Sequence, residues 1–161
     1  MLRGNSPFAL AALANVYELT RRYDKAIETY DRIPKESPLQ KAIEIRKAVN
    51  MNLLDQVDAA KTLLDRIAAE QPDDIRPLVT LGDIMRAHKR HAEAVEYYTR
   101  VIALTPKPES RHWVYWYARG TSYERLKKWA QAEADLQRAL KLAPDQPLIL
   151  NYLGYSWIDQ N

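Results

Sequence analysis

The sequence predicts an all-α fold built from helix pairs that stack on one another. A small residue is followed four positions later by a large apolar one, and a proline comes eight residues after that. This pattern occurs four times, and its prolines are Pro38, Pro72, Pro106 and Pro144, so the copies lie 34, 34 and 38 residues apart. A period of this length is typical of a helical hairpin that buries its apolar face by packing against copies of itself.

Each copy has a characteristic residue set in both of its helices. The small and large residues of the second helices are Ala26 and Tyr30, Ala60 and Leu64, Ala94 and Tyr98, and Ala132 and Leu136. The first helices carry apolar residues at helical spacing around a small one, as in Leu78, Leu81, Gly82 and Met85. An incomplete fifth copy begins with Leu150, Leu153, Gly154 and Trp157.

These positions predict nine helices and no strands. First helices are expected over residues 7–21, 40–53, 75–88, 111–127 and 147–160, and second helices over 24–33, 57–70, 91–104 and 129–142. Pro34 should end the second helix of the first copy near Ile33, a turn short of its counterparts. A mid-helix glycine costs about 1 kcal/mol relative to alanine, so the repeated glycine indicates a close approach between paired helices.

The pattern resembles that of the tetratricopeptide repeat family, and the resemblance covers nearly the whole chain. It implies a right-handed superhelical solenoid of antiparallel helix pairs, in one domain over residues 1–161. The repeats would span about 7–40, 41–74, 75–112 and 113–146, with a partial repeat at 147–161. The chain departs from the family pattern at Glu44 and Lys47, at Arg119 where leucine is expected, and in the extra residues 107–110.

Composition and motifs argue against an enzyme. The net charge of +3 is small and both signs are interspersed, which argues against nucleic acid as a partner, and no segment predicts a transmembrane span. The absence of cysteine excludes disulfides and thiolate metal sites. No phosphate-binding loop or nucleophile motif is present, and His88 and His91 flank a predicted turn instead of sharing one helical face. We predict no catalytic, cofactor or metal site.

The resemblance also implies a groove lined by the second, fifth, ninth and twelfth residues of each first helix. In the first copy these residues are Phe8, Ala11, Asn15 and Glu18. The candidate peptide-binding residues of the later copies are Ile45, Val49, Asn52, Arg76, Val79, Asp83, Arg86, Val114, Tyr117, Thr121, Glu124, Asn151 and Tyr155. Apolar pockets beside charges suit an extended or helical peptide, although some of the charges would pair with one another.

The predicted function is therefore a non-catalytic scaffold that binds a protein or peptide in this groove. An RNA-binding helical repeat and a structural spacer within a longer solenoid remain alternatives. The fifth first helix lacks its partner, which offers a surface for self-association through Leu150, Tyr152, Leu153 and Trp157. The last residues resemble repeats of large bacterial proteins, so we expect a fragment from the bacterial cytoplasm or cell envelope, its signal peptide absent if it has one.

Overall fold

The computed structural model describes residues 6–159, with side chains through Gly154. Within that range the chain forms nine α-helices, a single 3-10 turn at Ser110–His112 and no strand, so the all-α prediction is confirmed. The helices are α1 (Pro7–Leu19), α2 (Tyr23–Asp31), α3 (Gln40–Leu53), α4 (Val57–Glu70), α5 (Ile75–Ala87), α6 (His91–Ala103), α7 (Trp113–Arg125), α8 (Trp129–Leu142) and α9 (Pro147–Asp159).

The chain divides into two compact units, Met1–Thr80 and Leu81–Asn161. In the first unit α1 packs against α2, α2 against α3, and α3 against α4. In the second unit α6 packs against α7, α7 against α8, and α8 against α9. A single continuous domain stays a prediction.

The same turn joins the two helices of every repeat. After α1, the Arg22 N–H donates to the Tyr17 carbonyl at 2.8 Å and the Arg21 N–H to the Glu18 carbonyl at 3.0 Å. These two bonds define a Schellman motif, which requires a left-handed residue, and Arg21 accordingly has φ 58°. Its counterparts Asp55, Lys89 and Lys127 have φ values of 62°, 60° and 58°. None of the four residues is glycine, so the sequence carries no signal for this turn.

The repeated small residues lie where helices approach closely. Ala26, Ala60 and Ala94 have no exposed surface, and Ala132 is 3% exposed. A Cβ built on Gly120 would lie 3.3 Å from the Ala132 carbonyl oxygen, which fits the predicted approach between paired helices. At Gly82 the nearest group is different, because a Cβ there would lie 2.8 Å from the ring of Tyr98.

Six helices differ from their predicted bounds by one or two residues, and two of these differences have a visible local cause. Helix α2 ends at Asp31, and tighter bonds from Arg32 to the Thr29 carbonyl (3.2 Å) and from Ile33 to the Tyr30 carbonyl (3.0 Å) close it. Helix α7 begins at Trp113 because residues 110–112 form the 3-10 turn. The extra residues 107–110 of the fourth repeat lead into that turn.

Charged partners explain the departures from the family pattern. Lys47 on α3 forms an ion pair with Asp31, and Glu44 accepts a hydrogen bond from Arg66 Nη2 at 3.1 Å. Arg119 on α7 holds both carboxylate oxygens of Asp135 on α8, at 2.7 and 2.8 Å. Each residue that breaks the apolar pattern is therefore matched by an opposite charge.

Candidate interaction surface

In the first unit the predicted groove residues differ in exposure, from the half-buried Ile45 to Phe8 at 67%. Ile45, Asn52 and Val79 are half-buried, whereas Val49 is 37% exposed. Arg76 is exposed, but its guanidinium binds the Asp74 carboxylate, with Nε 2.9 Å from Oδ1 and Nη2 2.5 Å from Oδ2. Hydrogen bonding from Arg76 lowers the pKa of Asp74. The Arg76 charge is thus paired with Asp74, which lies just before the start of α5.

A polar network links α1, α2 and α3 beside these residues. Glu18 Oε1 accepts hydrogen bonds from Asn50 Nδ2 at 2.7 Å, Tyr30 Oη at 3.0 Å and Arg46 Nε at 3.3 Å. Arg46 Nη2 donates to Glu18 Oε2 and, at 2.9 Å, to Asn15 Oδ1. The Glu18 carboxylate therefore accepts four hydrogen bonds, two of them from the oppositely charged guanidinium of Arg46.

The network shifts the ionisation of two of its members. Burial raises the pKa of Glu18, but the hydrogen bonds from Arg46, Asn50 and Tyr30 outweigh burial and leave that pKa below its ordinary value. Burial and the bond to Glu18 raise the pKa of Tyr30 to about 12. Glu18 is therefore a carboxylate and Tyr30 a neutral donor at physiological pH.

A pocket of about 410 Å³ opens beside this network. It is lined by Asn15, Glu18, Leu19, Tyr23, Arg46, Val49, Asn50 and Leu53. Leu19 is 77% exposed and Leu53 51% exposed, whereas Asn50 is 1% exposed. Asn50 Nδ2 donates to Glu18 and to the Arg46 carbonyl, at 2.7 and 2.8 Å, but Asn50 Oδ1 is buried without a hydrogen-bond partner.

Position in the repeat predicts Asn15, Glu18 and Val49 of this pocket, but it indicates neither the pocket residues Arg46 and Asn50 nor the bond from Tyr30 to Glu18. A signal was available for Asn50. Its counterparts are Ile84 in α5 and Ser122 in α7, and both are buried. The side-chain amide of Asn50 therefore lies at a position that is buried in the later repeats. A buried amide of this kind implies hydrogen-bonding partners.

In the second unit the predicted charges interact locally. Asp83 is 57% and Arg86 42% exposed at the side chain, and Arg86 Nη2 lies 3.9 Å from Asp83 Oδ1. The same Asp83 oxygen accepts a hydrogen bond from Tyr98 Oη at 2.6 Å. Burial of Tyr98, together with Asp83, raises the Tyr98 pKa. Asp83 thus anchors a core tyrosine as well as facing solvent.

The aromatic residues of α7 form part of the packing. The Tyr117 ring lies edge-on to Trp113, at 5.4 Å between centroids, and to Tyr152 of α9, at 6.0 Å. Tyr117 is half-buried, so only part of its ring is available to a partner, whereas Val114 is 40% exposed.

The remaining predicted residues of this unit differ in their surroundings. Thr121 Oγ1 donates to the Ala118 carbonyl at 3.1 Å. Glu124 is half-buried, and burial together with a hydrogen bond to Glu124 raises the pKa of Tyr152. Asn151 is exposed, and the side chain of Tyr155 lies outside the described residues.

Two searches of the described residues bear on other classes of site. In that part of the chain, no group of three or more histidine, aspartate or glutamate side chains is placed to hold a metal ion. No helix among residues 6–159 combines the length and apolar character needed to cross a membrane.

Three models of the tetratricopeptide repeat match successive parts of the chain, at residues 9–43, 54–108 and 113–146. Together these matches extend over both compact units and most of the sequence. The family predicted from the alanine and proline pattern is thereby confirmed.

Among curated proteins, lipopolysaccharide assembly protein B of Escherichia coli strain K12 is 30% identical over 138 residues, which cover 83% of this chain and 35% of that protein. Human tetratricopeptide repeat protein 13 is 28% identical over 152 residues, which cover 91% of this chain and 17% of that protein. The chain therefore spans only about a third of the length of the first relative and less of the second.

Solved structures share the fold at low sequence identity. YrrB, described as a TPR protein with an unusual peptide-binding site, matches with a TM-score of 0.71 and 18% identity, over 95% of this chain and 77% of YrrB. MamA from Desulfovibrio magneticus RS-1 matches with a TM-score of 0.70 and 20% identity, over 89% of this chain and 78% of MamA. Both comparisons show a common helical-repeat fold.

Proposed function

The chain belongs to the tetratricopeptide repeat family, and on that premise we propose that it is a non-catalytic scaffold that binds a protein or peptide along its first helices. Proteins of this family serve generally in protein interaction. The observation that carries the proposal is the exposure of apolar side chains at the predicted groove positions of both units. Val49 is 37% exposed in the first unit and Val114 is 40% exposed in the second.

The charges near these residues should orient a bound partner but contribute little to its affinity. Arg76 pairs with Asp74, and Arg86 lies near Asp83, so a partner meets charges that already have local counterparts. Exposed ion pairs contribute little net free energy, whereas burial of an apolar side chain contributes about 1.5–3 kcal/mol. The binding free energy should therefore come from the apolar positions, with Asp83 and Arg86 setting register.

Selection from a random peptide library tests this proposal. Peptides recovered on the immobilised chain would be titrated by calorimetry into the parent, Val114→Asp and Val49→Asp. Both substitutions place a charge on a partly exposed apolar position without emptying a buried one. We expect at least one of the two to weaken each selected peptide about tenfold or more.

Glu96→Ala provides the matched control, because Glu96 is exposed on the second helix α6. It should leave affinity unchanged. If no peptide can be selected, or if all selected peptides bind Val49→Asp and Val114→Asp like the parent, the scaffold does not use this surface. A role as a spacer within a longer solenoid would then account for the fold better.

The similarity to lipopolysaccharide assembly protein B supports a further proposal about the process. The matched stretch covers 83% of this chain but 35% of the relative. We propose that the chain supplies a protein-tethering segment to an assembly process of that kind. In a chimera, this chain would replace the matched segment of the Escherichia coli protein. Restored lipopolysaccharide levels in cells lacking that protein would support the proposal, and a stably expressed chimera that fails to restore them would contradict it.

A further inference from the structure

The pocket beside Glu18 and Arg46 has a chemistry that selects its occupant. Its rim is apolar, because Leu19, Val49 and Leu53 expose 77%, 37% and 51% of their surfaces. Its volume, about 410 Å³, lies within the range of roughly 300–1,000 Å³ that is common for ligand pockets. The rim therefore offers burial to one sizeable apolar group.

The polar floor offers no net charge. Glu18 and Arg46 neutralise each other through two hydrogen bonds, and Asn15, Asn50 and Tyr30 supply the other bonds of the network. A charged side chain entering this pocket would lose its hydration without gaining an opposite charge in return. The floor thus favours an uncharged occupant.

One buried acceptor in the pocket lacks a donor. Asn50 is 1% exposed, and both bonds that it makes come from Nδ2, so its orientation is fixed and Oδ1 is left unpaired. A buried carbonyl oxygen without a donor costs about 1–3 kcal/mol. Because Oδ1 is covered, an occupant reaches it only when side chains of the pocket shift.

We propose that this pocket seats an uncharged, leucine-like side chain of a bound peptide, and that Asn50 Oδ1 accepts a hydrogen bond from a main-chain N–H of that peptide. The inference rests on the proposed function and assigns a specificity to it. A peptide residue supplies both requirements at once, since its apolar side chain and its amide N–H lie on adjacent atoms. Asn50 then favours an extended peptide over an apolar molecule that has no hydrogen-bond donor for Oδ1.

The probe for the test is the capped tripeptide acetyl-Gly-Leu-Gly-amide, titrated at millimolar concentration into the full isotope-labelled chain and followed by NMR. It should shift the methyl signals of Leu19, Val49 and Leu53 and the side-chain amide of Asn50. Replacing the leucine N–H or the following N–H by an ester oxygen, one at a time, removes a donor while keeping the shape. One of the two esters should bind about tenfold more weakly, as expected for a lost hydrogen bond.

Two comparisons make the result decisive. Leu53→Ser should weaken the tripeptide, whereas Leu54→Ser should not, because Leu54 is 37% exposed at the same helix end but does not line the pocket. Acetyl-Gly-Lys-Gly-amide should bind less well than the leucine probe, and added salt should leave the leucine probe unaffected.

Equal affinity of both esters and the amide would overturn the inference, because it would mean that neither N–H donates to Asn50 Oδ1. Tighter binding of the lysine probe, or shifts confined to residues outside the pocket, would overturn it as well. The proposed function has its own test in the library peptides. Selected peptides whose binding depends on Val114 but does not perturb Asn50 and Leu53 would contradict the proposed pocket. They would still support the proposed scaffold function.

Discussion

At the scale of single residues, one repeat position shows how surroundings reverse the effect of a substitution. Gly82 and Gly154 occupy the same place in α5 and α9, yet a Cβ on Gly82 would lie 2.8 Å from the Tyr98 ring, and one on Gly154 would meet no described atom within 4 Å. Tyr98 is 1% exposed and its hydroxyl is held by Asp83, so its ring has little freedom to move.

We therefore expect Gly82→Ala to destabilise the chain and Gly154→Ala to stabilise it. Alanine gains about 1 kcal/mol of helix propensity at either site, but overpacking at Gly82 costs about 1–3 kcal/mol. Chemical denaturation of the two variants beside the parent measures both signs. A gain in stability at Gly82 would mean that Tyr98 yields without cost.

The Glu18 network predicts a dependence of stability on pH. The folded pKa of Glu18 is lowered, so its ionised form contributes stability above the ordinary glutamate value, and this contribution is lost as the pH falls through the lowered folded pKa. The pKa of Tyr30 is raised to about 12, so its contribution is complete below the ordinary tyrosine value and disappears as the pH rises through about 12.

Glu18→Gln isolates the acid limb of this profile. Its deficit in unfolding free energy relative to the parent should be largest near neutral pH and should shrink as the pH falls through the lowered folded pKa of Glu18, where the parent also becomes neutral at this position. The control is Glu28→Gln, whose glutamate is 63% exposed and pairs with Lys25. A Glu18→Gln deficit that stays constant with pH would show that the carboxylate charge is not what stabilises the network.

At the scale of elements, α7 and α8 are joined by a charge pair that is mostly buried. The side chains of Arg119 and Asp135 are 16% and 8% exposed, and Arg119 Nη1 also donates to Thr99 on α6 at 3.1 Å. The equivalent positions of the preceding repeat are Leu81 and Tyr97, both buried. The fourth repeat therefore has an ion pair at two positions that are buried and uncharged in the preceding repeat.

Arg119→Leu should destabilise the chain by about 3–5 kcal/mol, because it leaves Asp135 buried without its counter-charge. The double variant Arg119→Leu, Asp135→Tyr copies the preceding repeat and should recover most of that loss, since a buried pair is often no better than apolar packing. A double-mutant cycle by urea denaturation measures the coupling. Additive losses from the two single substitutions would contradict direct coupling between the residues.

The turns between paired helices carry strain that glycine relieves. Lys89 has φ 60°, and a residue with a side chain pays about 1–2 kcal/mol in that region. Because glycine also loses more backbone entropy on folding, we expect Lys89→Gly to raise the unfolding free energy by about 0.5–1 kcal/mol. Lys89→Ala removes the same charge but keeps the Cβ, so it should bring no such gain. Equal effects of the two variants would assign the change to charge instead of backbone geometry.

The sequence predicted the elements well because their signals repeat. Helices α3, α4 and α8 have the predicted bounds, since three or more copies constrain each position. The site was harder to predict. Position in the repeat indicated Asn15, Glu18 and Val49, but it could not show that Arg46 turns toward Glu18 or that Asn50 Oδ1 lacks a donor. Those contacts depend on which side chains happen to meet across helices, and the repeat pattern does not encode them.

At the scale of the whole molecule, large apolar side chains are exposed at both ends of the helix series. On α1, Val16 is 52% exposed, although its counterparts Asn50, Ile84 and Ser122 in later first helices are buried. On α9, Leu148 is 56% and Leu150 is 48% exposed. Large apolar side chains exposed in this way are available to pack against a second copy.

We therefore expect the chain to self-associate as its concentration rises, because burying one such side chain contributes about 1.5–3 kcal/mol. Sedimentation equilibrium from micromolar to millimolar concentration measures the association constant. Val16→Glu and Leu150→Glu should each weaken association if α1 and α9 both take part, whereas only one will do so if a single end is used. Leu104→Glu is the control, since Leu104 is 39% exposed at the end of α6. A parent that remains monomeric throughout, or variants that associate as strongly as the parent, would show that these faces do not bind a second copy.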